Sequence, residues 1–114
     1  MAATGAPFSR KVRSLLAGPE NELLISSTSI LEIAIKHARG KIDMPEKVVH
    51  QAVEDLGVAV MAFEPRHAYQ LFSLPTHHWD PFDRMIIATA LAENVPLIAG
   101  DRQFARYRGL RCIW

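Results

Sequence analysis

The chain of 114 residues has one cysteine, Cys112. A lone thiol cannot form an internal disulfide, which excludes the cross-linked scaffolds of small secreted domains and agrees with a reducing compartment. Cys112 lies in an apolar run and reads as a core side chain rather than a nucleophile. Long apolar runs are also missing: none approaches the roughly 18 residues that a membrane-spanning helix needs. Residues 1–7 carry neither the charge nor the apolar stretch of a secretory signal. These absences point to a cytoplasmic protein with no membrane partner. Charge of one sign is not in excess either. The net charge of +1 gives no overall pull on nucleic acid. The chain has no Gly-rich phosphate loop, no Gly-x-Ser-x-Gly turn and no Cys/His pairing of catalytic type. Without repeats, low-complexity tracts or linkers, residues 1–114 read as a single domain, with 1–7 expected to be disordered.

What the chain does have is a hydrophobic content of 49%, enough for one core. Its basic residues gather at the ends, as Arg10, Lys11 and Arg13 and again as Arg102, Arg106, Arg108 and Arg111. Contacts to phosphates and an ordinary solvated face both remain open for them.

The most informative stretch is Asp80-Pro81-Phe82-Asp83-Arg84-Met85-Ile86-Ile87-Ala88. Asp80 suits a helix N-cap and Pro81 the first helical position. Asp83 then falls inside the positive end of the helix dipole. Ile86, Ile87, Ala90 and Leu91 follow at helical spacing. Asp101 comes straight after the strand-like run Val95-Pro96-Leu97-Ile98-Ala99, and Glu32 sits among Ile30, Leu31, Ile33, Ala34 and Ile35.

Each acid has a plain structural reading. Asp80, Asp83 and Asp101 can cap helices, and Glu32 can pair with Lys36 four residues on. Yet the helix of Glu32 is apolar on nearly every side and is expected to be mostly buried, where a carboxylate needs neutralising. Together the acids fit a cation site better than separate caps. Oxygen-only ligands favour Mg²⁺ or Mn²⁺ over zinc, and such an ion can hold a phosphodiester for attack by water. Glu32, Asp83 and Asp101 are the first candidates, with Asp80 a ligand, a supporting partner or only the cap. His67, His77 and His78 lack zinc-site spacing and read as surface polar groups.

In order, the chain predicts a helix from Ser9 closed by Gly18-Pro19, then a strand over 22–26. A helix carrying Glu32 follows, capped by Ser27 or Thr28 and ended by Gly40. The next helix opens at Met44-Pro45, buries Val48, Val49, Ala52, Val53 and Leu56, and stops at Gly57. A strand over 58–63 precedes a helix from Pro65 with Ala68, Leu71 and Phe72 inward. A loop over 75–79 leads to the helix of Asp83. Strands at 95–99 and 110–114 flank a short helix from Asp101 that packs Phe104 and Tyr107. This alternation argues for a three-layer α/β domain with a mainly parallel sheet flanked by helices, binding ligands at the carboxyl ends of its strands.

With those residues in place, the chain resembles the PIN-domain ribonucleases, and more narrowly the VapC-type toxins of type II toxin–antitoxin pairs. Three segments carry the resemblance. Ser26-Ser27-Thr28-Ser29-Ile30-Leu31-Glu32-Ile33-Ala34-Ile35-Lys36 is similar to the family's Ser-x-x-x-x-Trp-Glu-Ile-Ala-Ile-Lys helix, with Leu31 for Trp. His77-His78-Trp79-Asp80-Pro81-Phe82-Asp83-Arg84 is similar to a His-His-Arg-Asp-Pro-Phe-Asp-Arg signature. Leu97-Ile98-Ala99-Gly100-Asp101 resembles the last acidic motif, where Thr often replaces Ala99.

The resemblance implies a metal-dependent endoribonuclease that takes Mg²⁺ or Mn²⁺. It assigns the acidic roles to Glu32, Asp83 and Asp101, with Asp80 a further metal-ligand candidate. It also implies an antitoxin partner that binds operator DNA, and a homodimer. One departure stands out. The family's opening strand, which ends Leu-Leu-Asp-Thr-His, has no counterpart in 1–7, so the first strand is expected to be missing. The alternative is then a weakened or inactive relative that binds an antitoxin or a sister toxin.

Overall fold

The computed structural model describes Gly18 and residues 22–77, 79–99 and 102–113, with Arg102 described in backbone only. The expected helix from Ser9, the expected disorder of 1–7, and Pro19, His78, Gly100, Asp101 and Trp114 lie outside the described residues.

Strands and helices alternate as the sequence pattern predicts. Strand β1 (Leu24–Ser26) leads directly into α1 (Ser27–Ala38), followed by α2 (Glu46–Leu56) and β2 (Ala59–Met61). Helix α3 (Pro65–Gln70) runs on into a 3₁₀ turn (Leu71–Ser73). Then come α4 (Pro81–Glu93), β3 (Leu97–Ile98), a 3₁₀ helix (Arg102–Arg106) and β4 (Cys112–Ile113). Both strand pairings are parallel. In one ladder Ile25 lies opposite Val60, and in the other Leu97 lies opposite Cys112. Among the described residues these remain two separate two-stranded ladders, β1–β2 and β3–β4. Each strand is shorter than the stretch the sequence predicted for it.

The core forms around α4. Ile86, Ile87, Ala88, Thr89 and Ala90 are all buried, so this helix is covered on every side. Leu74, Leu97, Ala99, Phe104 and Tyr107 close round it, as expected for the last two. Each large side chain so buried contributes on the order of 1.5–3 kcal/mol. Thr89 is kept satisfied by donating to the Met85 carbonyl at 2.8 Å. Asn94 ends the helix in the left-handed conformation, and Gly57 ends α2 the same way at φ 64°.

Five expectations are corrected. The cap of α1 is Ser26 rather than Ser27 or Thr28: its backbone is extended and its Oγ accepts from the Thr28 amide at 3.1 Å. Helix α1 does not bury its aliphatic residues. Its buried side chains are Thr28, Ser29 and Glu32, while Leu31 and Ile35 are exposed. The cause is position: α1 packs on α4 through its polar side, and its apolar side turns outward beside α2. The stripe of α2 is likewise open, with Val48 and Leu56 exposed. Phe72 is 89% exposed because the helix tightens into a 3₁₀ turn at Leu71, rotating the next side chains off the inward face.

The last correction concerns His67, which is fully buried rather than superficial. Glu64 and His67 form a capping box at the start of α3. The Glu64 amide donates to Nδ1 at 2.9 Å, so the ring proton sits on Nε2, which faces Glu93 Oε1 at 2.7 Å. Arg66 joins Glu93 and Glu64 in the same network. The Glu93 carboxyl is held below its ordinary pKa, first by the hydrogen bond from His67, against an opposing effect of burial, and then by Arg66. The network fastens α3 to the far end of α4.

Candidate functional site

Glu32 stands on α1 just beyond the carboxyl end of β1. Its side chain is 9% exposed, and Oε2 accepts from Lys36 Nζ at 2.8 Å, one turn further along. The pairing foreseen from the sequence is present. The Lys36 ammonium has its pKa raised, chiefly by the Glu32 hydrogen bond. Burial opposes this, and the charges of Glu32, Asp80 and Asp83 add to it. One ammonium therefore feels carboxylates from α1 and from the start of α4, which brings Glu32, Asp80 and Asp83 into a single neighbourhood.

Asp80 does cap α4. Its Oδ1 accepts from the Asp83 amide at 3.0 Å, with Pro81 at the first helical position. Both acids thus sit at the positive end of the helix dipole. The loop before them is pinned from two sides. Arg84 Nη1 donates to the Pro75 carbonyl at 2.8 Å, and Arg106 Nη1 donates to the His77 carbonyl at 3.3 Å. The His77 ring meets Tyr107 edge-on, at 4.8 Å between centroids. Trp79 projects from this loop, 77% exposed, with the Arg84 guanidinium 5.9 Å from its ring centre.

Thr28 and Ser29 did not stand out in the sequence. They lie one turn before Glu32, on the same buried side of α1. Their hydroxyls are buried with no hydrogen-bond partner among the described residues. A run of four hydroxyl residues directly after an apolar strand was the available signal.

Donor chemistry fits a hard divalent cation, since Glu32, Asp80 and Asp83 offer only oxygen. Asp101 lies outside the described residues. Among the described residues no three Asp, Glu, His or Cys side chains gather closely enough to hold a metal by themselves. Within the described part Lys36 pairs with Glu32 and feels the charges of Asp80 and Asp83. His77 points to Tyr107 and His67 to Glu93, so neither histidine belongs to this group. Cys112 is half-buried, and burial raises its thiol pKa, as befits a packing residue.

On the opposite side of α1, Ile30, Ile33, Ala34, Met44, Val49 and Val53 line an apolar groove of about 510 Å³ between α1 and α2. Leu31, Ile35, Val48 and Val60 leave its surroundings exposed and apolar. No helix among the described residues is long and apolar enough to cross a membrane.

The profile of the PIN domain matches residues 2–110, nearly the whole chain. The protein belongs to the PIN-domain family. Its fold is similar to that of a chain in the crystal structure of VapBC2 from Rickettsia felis bound to a DNA fragment from their promoter. That likeness has a TM-score of 0.65 at 19% identity and covers 90% of this chain and 80% of the other. No curated protein is significantly similar in sequence.

Proposed function

We propose that the protein is a metal-dependent endoribonuclease of the VapC toxin type, acting in the cytoplasm on RNA phosphodiester bonds. What supports this reading is the PIN-family fold, with Glu32 bonded to Lys36 and the packing of α1 on α4 setting that pair near the Asp80 and Asp83 end of α4. Glu32, Asp80, Asp83 and Asp101 are the residues to hold Mg²⁺ or Mn²⁺, with Glu32, Asp83 and Asp101 catalytic. When bound, such an ion supplies Lewis acidity and neutralises phosphate charge. The chain's own part is to fix the donors. The cap bond holds Asp80 to the Asp83 amide, and the Lys36 bond orients the Glu32 carboxylate.

The outward apolar side of α1 and α2 supports a protein partner, since contiguous exposed apolar surface marks association sites. An antitoxin is the partner in keeping with the VapBC2 neighbour, and pairing of two copies as a homodimer uses the same kind of surface. The same feature favours one second reading, a catalytically weak PIN relative that retains partner binding alone.

Cleavage of a labelled single-stranded RNA in Mg²⁺ separates these readings. The parent is expected to cut, with Asp83→Asn and Glu32→Gln slower by at least about a hundredfold, the scale of a lost charge-stabilising group. Calorimetry should show weaker Mg²⁺ binding by Asp83→Asn. Equal cleavage by parent and Asp83→Asn refutes the enzyme reading. An inert parent that still binds a partner establishes the second.

A further inference from the structure

An exposed tryptophan beside an acidic cluster calls for an explanation that packing does not supply. Trp79 is 77% exposed and contributes nothing to the core. It lies one peptide from Asp80, so their Cα atoms are about 3.8 Å apart. Its ring also lies by Arg84, the residue after Asp83, with the guanidinium 5.9 Å from the ring centre. The indole is thus tied at one end to the cap acid and at the other to the neighbour of the second acid.

Its support is fixed in advance. Arg84 is held by the Pro75 carbonyl at 2.8 Å and the Leu74 carbonyl at 3.4 Å. Arg106 holds the His77 carbonyl two residues before the tryptophan. Such prior anchoring lowers the ordering cost when a ligand settles on the ring. Unpaired RNA bases stack on aromatic rings and on arginine planes, and the loop and the start of α4 present one of each beside carboxylates that would hold a cation against a phosphate.

We propose that Trp79, backed by Arg84, is a stacking platform for an unpaired nucleobase of single-stranded RNA, positioning the adjoining phosphate beside the cation that Asp80 and Asp83 would hold. This rests on the ribonuclease reading above. Every base has a π-face, so the platform accepts any base and sets the register of the strand rather than its sequence.

The test uses fluorescein-labelled oligoadenylate of about a dozen nucleotides, within the usual range for single-strand sites, and a sugar–phosphate strand of the same length without bases. Binding is read by anisotropy on proteins that also carry Glu32→Gln, so that the strand stays intact. Cleavage is read with Glu32 in place. Trp79→Ala should weaken oligoadenylate binding roughly five- to a hundred-and-fifty-fold, the range found for one stacked base. It should raise KM by a similar factor with kcat near the parent's. Trp79→Phe should recover much of the loss. The strand without bases should bind parent and Trp79→Ala alike, and Phe72→Ala, an exposed aromatic outside this loop, should bind as the parent does. If Trp79→Ala matches the parent in affinity and KM while the parent cuts RNA, the platform is refuted and the ribonuclease reading stands. If Phe72→Ala weakens binding equally, the effect is general stickiness and the platform is refuted. If the parent neither binds nor cuts the strand, both readings fail.

Discussion

Replacing Thr28 by valine should stabilise the protein. Thr28 is 1% exposed, and its hydroxyl has no hydrogen-bond partner among the described residues. A buried hydroxyl that has given up water without gaining a partner costs about 1–3 kcal/mol. Valine keeps the shape and removes the polar atom. The backbone bond from the Thr28 amide to Ser26 Oγ is untouched, because it uses no part of the Thr28 side chain. The two residues also have nearly equal helix propensities, so α1 loses nothing. At about 2.1 cal/mol/K of unfolding entropy per residue, a chain of 114 residues moves its melting temperature by about 4 °C for each kcal/mol. The expected gain is therefore about 4–12 °C. Ser29→Ala, with the same orphaned hydroxyl and a better helix former, should move the same way. Urea unfolding followed by circular dichroism measures the change directly, and an unaltered m-value shows that the unfolded state has not shifted. A loss of 1 kcal/mol or more in Thr28→Val would refute the reasoning, because it would mean that the hydroxyl has a strong partner. A gain in stability accompanied by slower RNA cleavage would place the hydroxyl in the catalytic neighbourhood of Glu32.

Lys36→Met should destabilise the apo protein by only about 1 kcal/mol, because Lys36 is 46% exposed and solvent screens the pair. Mg²⁺ should raise the melting temperature of this variant more than that of the parent; equal shifts would separate Lys36 from the cation site. The raised Lys36 pKa makes the contribution of the pair complete below about 10.5 and lost as pH climbs through the higher folded value, so parent and variant should converge in strong alkali. Glu93 behaves oppositely. Its pKa is lowered from 4.5, so its contribution is complete above that pH and disappears as acid titrates it in the folded state. Glu93→Gln should melt lower at neutral pH and show a flatter decline below about pH 4.5, and parallel curves would contradict the network around His67.

Local chemistry made much of this fold legible. Asp80 and Pro81 announced the start of α4, and Gly57 the end of α2, because caps depend on the residues that make them. The orientation of α1 was hidden. Ile30, Leu31, Ile33, Ala34 and Ile35 leave no polar stripe wide enough to say which side faces inward. Orientation is decided by what α4 presents, and that is a tertiary fact. His67 was misread for a similar reason. Its partners are the Glu64 amide three residues back and Glu93 on another helix, so the spacing Glu64-x-x-His67 was the only local hint. For the candidate site, the sequence offered the acids as candidates, while the influence of Asp80 and Asp83 on Lys36 follows from the packing of α1 on α4.

That placement has an electrostatic consequence. Lys36 feels the charge of all three carboxylates, and the start of α4 lends roughly half a positive charge to Asp80 and Asp83. Lys36 offsets mainly Glu32, the most buried of the three, while Asp80 is open to water. The most buried of the three acids is thus the one in direct contact with the ammonium. A divalent cation would meet a Glu32 carboxylate that the Lys36 bond already aims. It would compete with a half-exposed lysine able to swing into water. A buried acid lacking such a partner would take up a proton instead, and cation binding would then begin with its removal.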